Sequence, residues 1–283
     1  MEAALRQFPV SEARLKRSYI CFGGAAYDGT TAKIVEDAPR FGADSVTVYD
    51  DKYLMGTEFW KLPEVQWLWN HRGVGNPDGG RGLIWFAWKP KVIMDALARL
   101  DDGDIVLYTD ADTYPIADLS PLYEECARIG GVMLFAAQGR NNRWDCKRDC
   151  FIRLGMDEPC WYDTPAAVAR FMLFQKGAPG VDAFLAEWQR WCLDPQATTF
   201  DASTLGPELP GFCEHRTEQA ILSLMAIRDG HKLYREACEF GNSALADGVD
   251  ADLYGQLFRQ VYCHGNRADY SGSKFFNVPG EVR

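Results

Sequence analysis

Asp104-Ile105-Val106-Leu107-Tyr108-Thr109-Asp110-Ala111-Asp112 is an apolar run that stops abruptly in two carboxylates. Its composition predicts a buried strand. Two charges one residue apart at the end of such a strand are costly to leave unpaired. Strand alternation turns Asp110 and Asp112 to one side. Where the strand gives way to a loop, both can converge on one hard cation through oxygen ligands. The plainer alternative is a turn, because Asp and Pro in Asp110-Ala111-Asp112-Thr113-Tyr114-Pro115 are ordinary turn formers.

Upstream, Ser18-Tyr19-Ile20-Cys21-Phe22 predicts a first strand, closed by the glycine turn Gly23-Gly24-Ala25-Ala26-Tyr27-Asp28-Gly29. A helical pattern follows from about Thr31 to Phe41, then a second strand over Ser45–Tyr49 ending in Asp50-Asp51. Strand, glycine turn, helix and strand in this order predict a parallel α/β sheet with ligand sites at the carboxyl ends of its strands. The turn does not match GxGxxG, so it carries no dinucleotide fingerprint. Residues 52–80 read as irregular, with Trp60, Trp67 and Trp69, and Gly73 to Gly80 reads as a mobile loop. Ile84 to Leu97 has helical apolar spacing, with Pro90 suited to a first turn. Further strands are expected at Gly131–Ala136, Ala169–Gln175, Lys232–Tyr234 and Val261–His264, and helices at Val181–Cys192 and Ala220–Arg228.

The chain of 283 residues, 47% hydrophobic, reads as one domain with a sizeable core. No stretch approaches the roughly 20 apolar residues that span a bilayer, and Met1 to Arg17 has no apolar region of a secretory signal. Nine cysteines without CxxC spacing read as reduced thiols, so a cytoplasmic location is expected. A net charge of −10 argues against nucleic acid as partner.

Two enzyme classes place DxD at the end of a strand. Asp110-Ala111-Asp112-Thr113 fits the DxDxT of haloacid-dehalogenase phosphatases literally, yet some hundred residues precede it and no later acidic pair completes that metal site. Over roughly residues 18–275 the chain instead resembles nucleotide-sugar glycosyltransferases of the GT-A fold, closest in pattern to retaining galactosyltransferases and glycogenins. Three features in order carry the resemblance: the succession of a strand with its glycine loop, a Trp88-Lys89-Pro90 helix and the strand of the paired aspartates; Glu218-Gln219-Ala220-Ile221-Leu222, similar to the family's Asp-Gln-Asp-Ile-Leu; and His264. His264 then follows a strand near the C-terminus, where this fold supplies a third metal ligand. A third reading is a catalytically silent sugar-nucleotide-binding protein.

The resemblance implies an α/β fold with a mixed, mainly parallel sheet flanked by helices, in a single domain over 1–283. Residues 18–135 would form its nucleotide and metal half, and 136–275 its acceptor and catalytic half. It implies transfer of a sugar from a nucleotide donor, a UDP-sugar by pattern, to a glycan acceptor. Asp110, Asp112 and His264 would hold Mn²⁺, which suits mixed oxygen and imidazole ligands, or Mg²⁺. Gly23, Gly24, Tyr27, Arg81, Lys89, Asp110 and Lys274 would contact the donor. Glu218 and Gln219 would be catalytic, on the sugar side, with retention of configuration. The sequence departs from the family where an Asn-Ala-Gly-like turn gives way to Asp163-Thr164-Pro165, and it lacks a clean His-x-x-Gly-x-x-Lys clamp after His264. The basic membrane-binding tail of some relatives is absent, leaving only peripheral membrane contact open. Asn141 to Asp149, polar with Trp144 at its centre, suits an acceptor sugar.

Overall fold

The apolar run through Leu107 forms a strand buried along its length, and the sheet is built outward from it. The computed structural model describes residues 15–23, 27–71, 83–238 and 276–277. In chain order the first half holds β1 (Arg17–Phe22), α1 (Asp28–Arg40), β2 (Ser45–Tyr49), α2 (Asp51–Met55), α3 (Pro63–Asn70), α4 (Lys89–Leu97), β3 (Ile105–Asp110), β4 (Tyr114–Pro115) and α5 (Ser120–Arg128). The second half holds β5 (Val132–Asn141), α6 (Asn142–Asp145), α7 (Arg148–Arg153), α8 (Pro159–Tyr162), β6 (Pro165–Gln175), α9 (Val181–Cys192), α10 (Pro195–Thr198), α11 (Thr217–Arg228) and β7 (Phe276–Asn277).

Five strands form one sheet in the order β2-β1-β3-β6-β5. β1 runs parallel to β2 and β3, while β6 is antiparallel to both β3 and β5. Hence β1, β2, β3 and β5 point one way and β6 alone is reversed, the mixed, mainly parallel sheet expected. Alternate residues of β1 and β3 enter different cores. Ile20, Val106 and Tyr108 pack with α4, α9 and α11, and Tyr19, Cys21 and Leu107 pack with α1 and α5. Burial on both faces is why β3 reads as a continuous apolar run. The strand order reverses between β1 and β3, and open α/β sheets bind ligands in the crevice that such a reversal leaves at the carboxyl ends. Register sets Phe22 opposite Asp110 at that end.

The structure revises some local expectations. The tryptophan-rich stretch read as irregular holds α2, α3 and a 3-10 turn at Phe59–Lys61, with Trp60 edge-on to Trp69. The helix expected from Ile84 breaks in two, because Ile84, Trp85 and Phe86 adopt left-handed φ values of 46°, 50° and 58° before α4 starts at Lys89. Burial of Ile84 and Trp85 holds this turn, and Pro90 favours a helix start beside it. The strand expected near Tyr234 is a single parallel bridge to Phe135. Val261–His264 and the glycine tract lie outside the described residues. Among the described residues no helix is long and apolar enough to cross a membrane.

Candidate active site

Asp110 is the last residue of β3, and Ala111-Asp112 form the turn beyond it, with Thr113 N donating to Asp110 O at 3.1 Å. The turn is tied down from below: Tyr19 Oη lies 2.8 Å from Thr109 Oγ1 and donates to Thr113 O at 3.3 Å. Thr113 Oγ1 donates to Asp112 Oδ1 at 3.0 Å. Gly23 permits the approach of β1 to this turn. A Cβ there would lie 2.9 Å from Ala111 Cβ and 2.8 Å from Thr31 Cγ2, closer than carbon atoms tolerate. The small residues at 23 and 111 therefore bring the end of β1, Tyr27 and the turn of the paired aspartates into one place.

Lys89, at the start of α4, joins this turn to α11. Its side chain is 2% exposed, yet Nζ lies 3.1 Å from Asp110 Oδ1 and 2.8 Å from Glu218 Oε1. It also donates to Ala169 O at 3.0 Å, so three acceptors match its three protons. Burial pulls the ammonium's pKa down, but the two carboxylates outweigh it and hold the group above its ordinary value. The rings of Phe86, Trp88 and Tyr108 stand 5.3 to 5.9 Å from Nζ, a distance at which aromatic faces attract a cation. Tyr108 Oη donates to the same Asp110 Oδ1 at 2.7 Å. Asp110 nonetheless keeps its side chain 35% exposed.

Glu218 is buried in the first turn of α11, where the helix dipole favours a carboxylate. Thr217 before it adopts φ +42°, a strained conformation for a β-branched residue, and donates from Oγ1 to Glu218 Oε2 at 2.6 Å. Trp188 Nε1 donates to Glu218 O at 2.9 Å. Gln219 Oε1 accepts from Ala169 N on β6 at 3.3 Å. Both oxygens of Glu218 and one end of the Gln219 amide are thus fixed by the surrounding frame.

Of the residues picked from sequence, Gly23, Tyr27, Lys89, Asp110, Asp112, Glu218 and Gln219 fall among the described residues at one edge of the sheet. Gly24, Arg81, His264 and Lys274 lie outside them. Lys89 is deeply buried between two carboxylates. Asp163, which stands where the family has its Asn-Ala-Gly-like turn, forms a two-point ion pair with Arg143 at 2.6 and 2.7 Å. Sequence reasoning missed Tyr108, although it lies two residues before Asp110 and hence on the same strand face. It also missed Thr217 and Trp188, for which no local pattern gave a signal. Among the described residues no three His, Cys, Asp or Glu side chains group as a metal site. Of the residues expected to hold a metal, Asp110 and Asp112 are described, and their hard oxygens would suit Mn²⁺ or Mg²⁺.

No family model matches the sequence, and no curated protein matches it. Solved structures similar to this chain include mouse xyloside xylosyltransferase 1 in its apo form, with 12% identity, 94% of this chain and 98% of that chain covered, and a TM-score of 0.44. The apo WbbM bifunctional glycosyltransferase has 13% identity over 77% of this chain and 38% of that one, with a TM-score of 0.42. Apo GlyE of Streptococcus pneumoniae TIGR4 has 11% identity over 95% of this chain and 55% of that one, with a TM-score of 0.39. Likeness at this level does not transfer an activity, so function is argued from the site.

Proposed function

We propose that the chain is a glycosyltransferase moving a sugar from a nucleotide sugar, a UDP-sugar by the pattern of its motifs, to a glycan acceptor. The observation that supports this reading is the buried ammonium of Lys89 shared between Asp110, at the switch point of the sheet, and Glu218, at the head of α11; Asp110 would face the metal and Glu218 the sugar. Asp110 and Asp112, with His264, would hold Mn²⁺ or Mg²⁺ against the donor diphosphate. A divalent cation there supplies Lewis-acid stabilisation of the leaving group's charge. Lys89 and Tyr108 fix Asp110, and Thr217 and Lys89 fix Glu218, so these carboxylates need no rearrangement as charge develops. Gly23, Gly24 and Tyr27 would border the nucleotide, and Arg81 and Lys274 would offset diphosphate charge.

Glu218 is held by the Lys89 ammonium and a threonine hydroxyl, an arrangement that favours orienting donor hydroxyls over taking a proton from the acceptor. That supports retention of configuration, with the leaving phosphate accepting the acceptor proton. Titration calorimetry with nucleoside diphosphates tests the reading. UDP is expected to bind only with Mn²⁺ or Mg²⁺ present, and Asp112→Ala should abolish both binding and donor hydrolysis. Metal-independent binding, or an Asp112→Ala variant with unchanged turnover, would overturn the metal assignment. Product anomeric configuration read by NMR decides retention against inversion.

A further inference from the structure

β5 and β3 both pair antiparallel with β6, so β5 points its carboxyl end the same way as β3 and runs on past it, Asn141 pairing with Pro165 where Thr109 pairs with Phe171. There α6 presents Trp144, 38% exposed. Trp67 is similarly exposed but stacks on His71 at 3.8 Å. No ring or cation is stacked on the Trp144 indole among the described residues. We propose that Trp144 is the platform of a binding subsite for a pyranose ring of the glycan acceptor, a role that rests on the transferase reading.

Position and rigidity support this. Asn141 Oδ1 accepts from Trp144 N at 3.1 Å, and Trp144 O accepts from Cys213 N at 3.0 Å and Glu214 N at 3.1 Å. Arg216 N donates to Asp145 O at 2.8 Å, and Arg216 O accepts from Gln219 N at 2.9 Å. The strip 213–216, bonded to the Trp144 carbonyl, therefore runs directly into Glu218, two residues on and so within about 7 Å of chain. Gly211, at φ +89°, lies beside the ring. A Cβ there would sit 3.7 Å from Trp144 Cδ1 and Nε1.

The strip is anchored from behind by His215, whose Nδ1 accepts from Lys147 N at 3.2 Å and whose Nε2 lies 2.8 Å from Ala197 O. The loop that leads to it is held on the same segment: Asp149 accepts from Thr204 N and Leu205 N, and Arg148 N donates to Glu208 Oε2 at 2.8 Å. A platform whose backbone is already fixed in the free protein loses less entropy when it binds. Charged pairs flank the helix that carries the ring: Arg143 with Asp163, and Arg140 and Arg216 with Glu214, and Arg143 Cδ comes as close to Gly211 as the indole does. An exposed apolar ring with a guanidinium beside it suits a pyranose, which has one apolar face and hydroxyls around its rim.

The test uses the full chain labelled with 5-fluorotryptophan, with the Trp144 resonance assigned as the one lost in Trp144→Phe. Methyl glucopyranoside, galactopyranoside and xylopyranoside are titrated with and without UDP and Mn²⁺. At least one glycoside is expected to shift the Trp144 resonance saturably, and Trp144→Ala should weaken its binding about tenfold, while Trp144→Phe stays within a few fold. A Trp144 resonance unmoved by every glycoside while UDP binds would overturn the subsite and leave the transferase reading intact. A shifting resonance in a protein that binds no nucleotide would keep the sugar site and overturn the transferase reading. Equal binding by wild type and Trp144→Ala would also overturn the subsite.

Discussion

Removing the ammonium of Lys89 would leave Asp110 and Glu218 facing each other with their shared counter-charge gone. Breaking a buried ion pair at one partner costs about 3–5 kcal/mol, so Lys89→Met is expected to lower the urea midpoint by that equivalent with an unchanged slope. Glu218→Gln keeps the shape and one acceptor for Lys89. It should fold, while turnover falls about 10²–10³-fold, the range for losing one preorganised group. Gly23→Ala forces a methyl against Ala111 and Thr31. Displacing the turn that carries both aspartates should raise the Kd for UDP with Mn²⁺ about tenfold, while an equal Kd in calorimetry would show that the turn yields at no cost. Much of this scale was legible, since a pair of aspartates after an apolar strand and an acid opening a helix are local patterns. The burial of Lys89 was not. A lysine at a helix start reads as solvated, and only the long-range approach of β6 and α11 to it takes it out of water.

At the scale of elements, the strands and long helices were readable because their apolar periods are regular. The irregular parts were set by tertiary packing. Ile84, Trp85 and Phe86 have the apolar spacing of a helix but lie in the left-handed region, where packing of Ile84 and Trp85 into the core outweighs local preference. α2 and α3 escaped notice because their turns are too short to establish a period. Gly131 shows the same control from a distance. It enters β5 at φ +90°, and a Cβ there would stand 2.5 Å from Ala178 Cβ. Gly131→Ala combines backbone strain with overpacking and is expected to cost about 2–4 kcal/mol, seen as a lower Tm, whereas Gly139→Ala, with open space around it and φ +61°, carries the strain alone and should cost less.

For the whole molecule, the second half of the chain is stitched together at His215. It is 4% exposed, accepts from Lys147 N at Nδ1 and lies 2.8 Å from Ala197 O through Nε2. Burial, with the nearby Lys147 ammonium, pushes its pKa down to about 3. In the unfolded chain it returns to about 6.5, so between these values the unfolded state binds more protons. The contribution is therefore complete above about pH 6.5 and is lost as pH falls towards 3. Thermal melts of wild type over that interval should fall more steeply than those of His215→Gln, and parallel slopes would exclude this origin. The triad of Lys89, Asp110 and Glu218 has a consequence of another kind, in the paths by which such a sequence can change over generations. The one ammonium answers two carboxylates, so replacing Lys89 alone weakens the fold before any compensating second change arrives. Lineages should then change Lys89 only together with a carboxylate, and a descendant that had abandoned catalysis would reveal it by losing Lys89 together with Asp110 or Glu218.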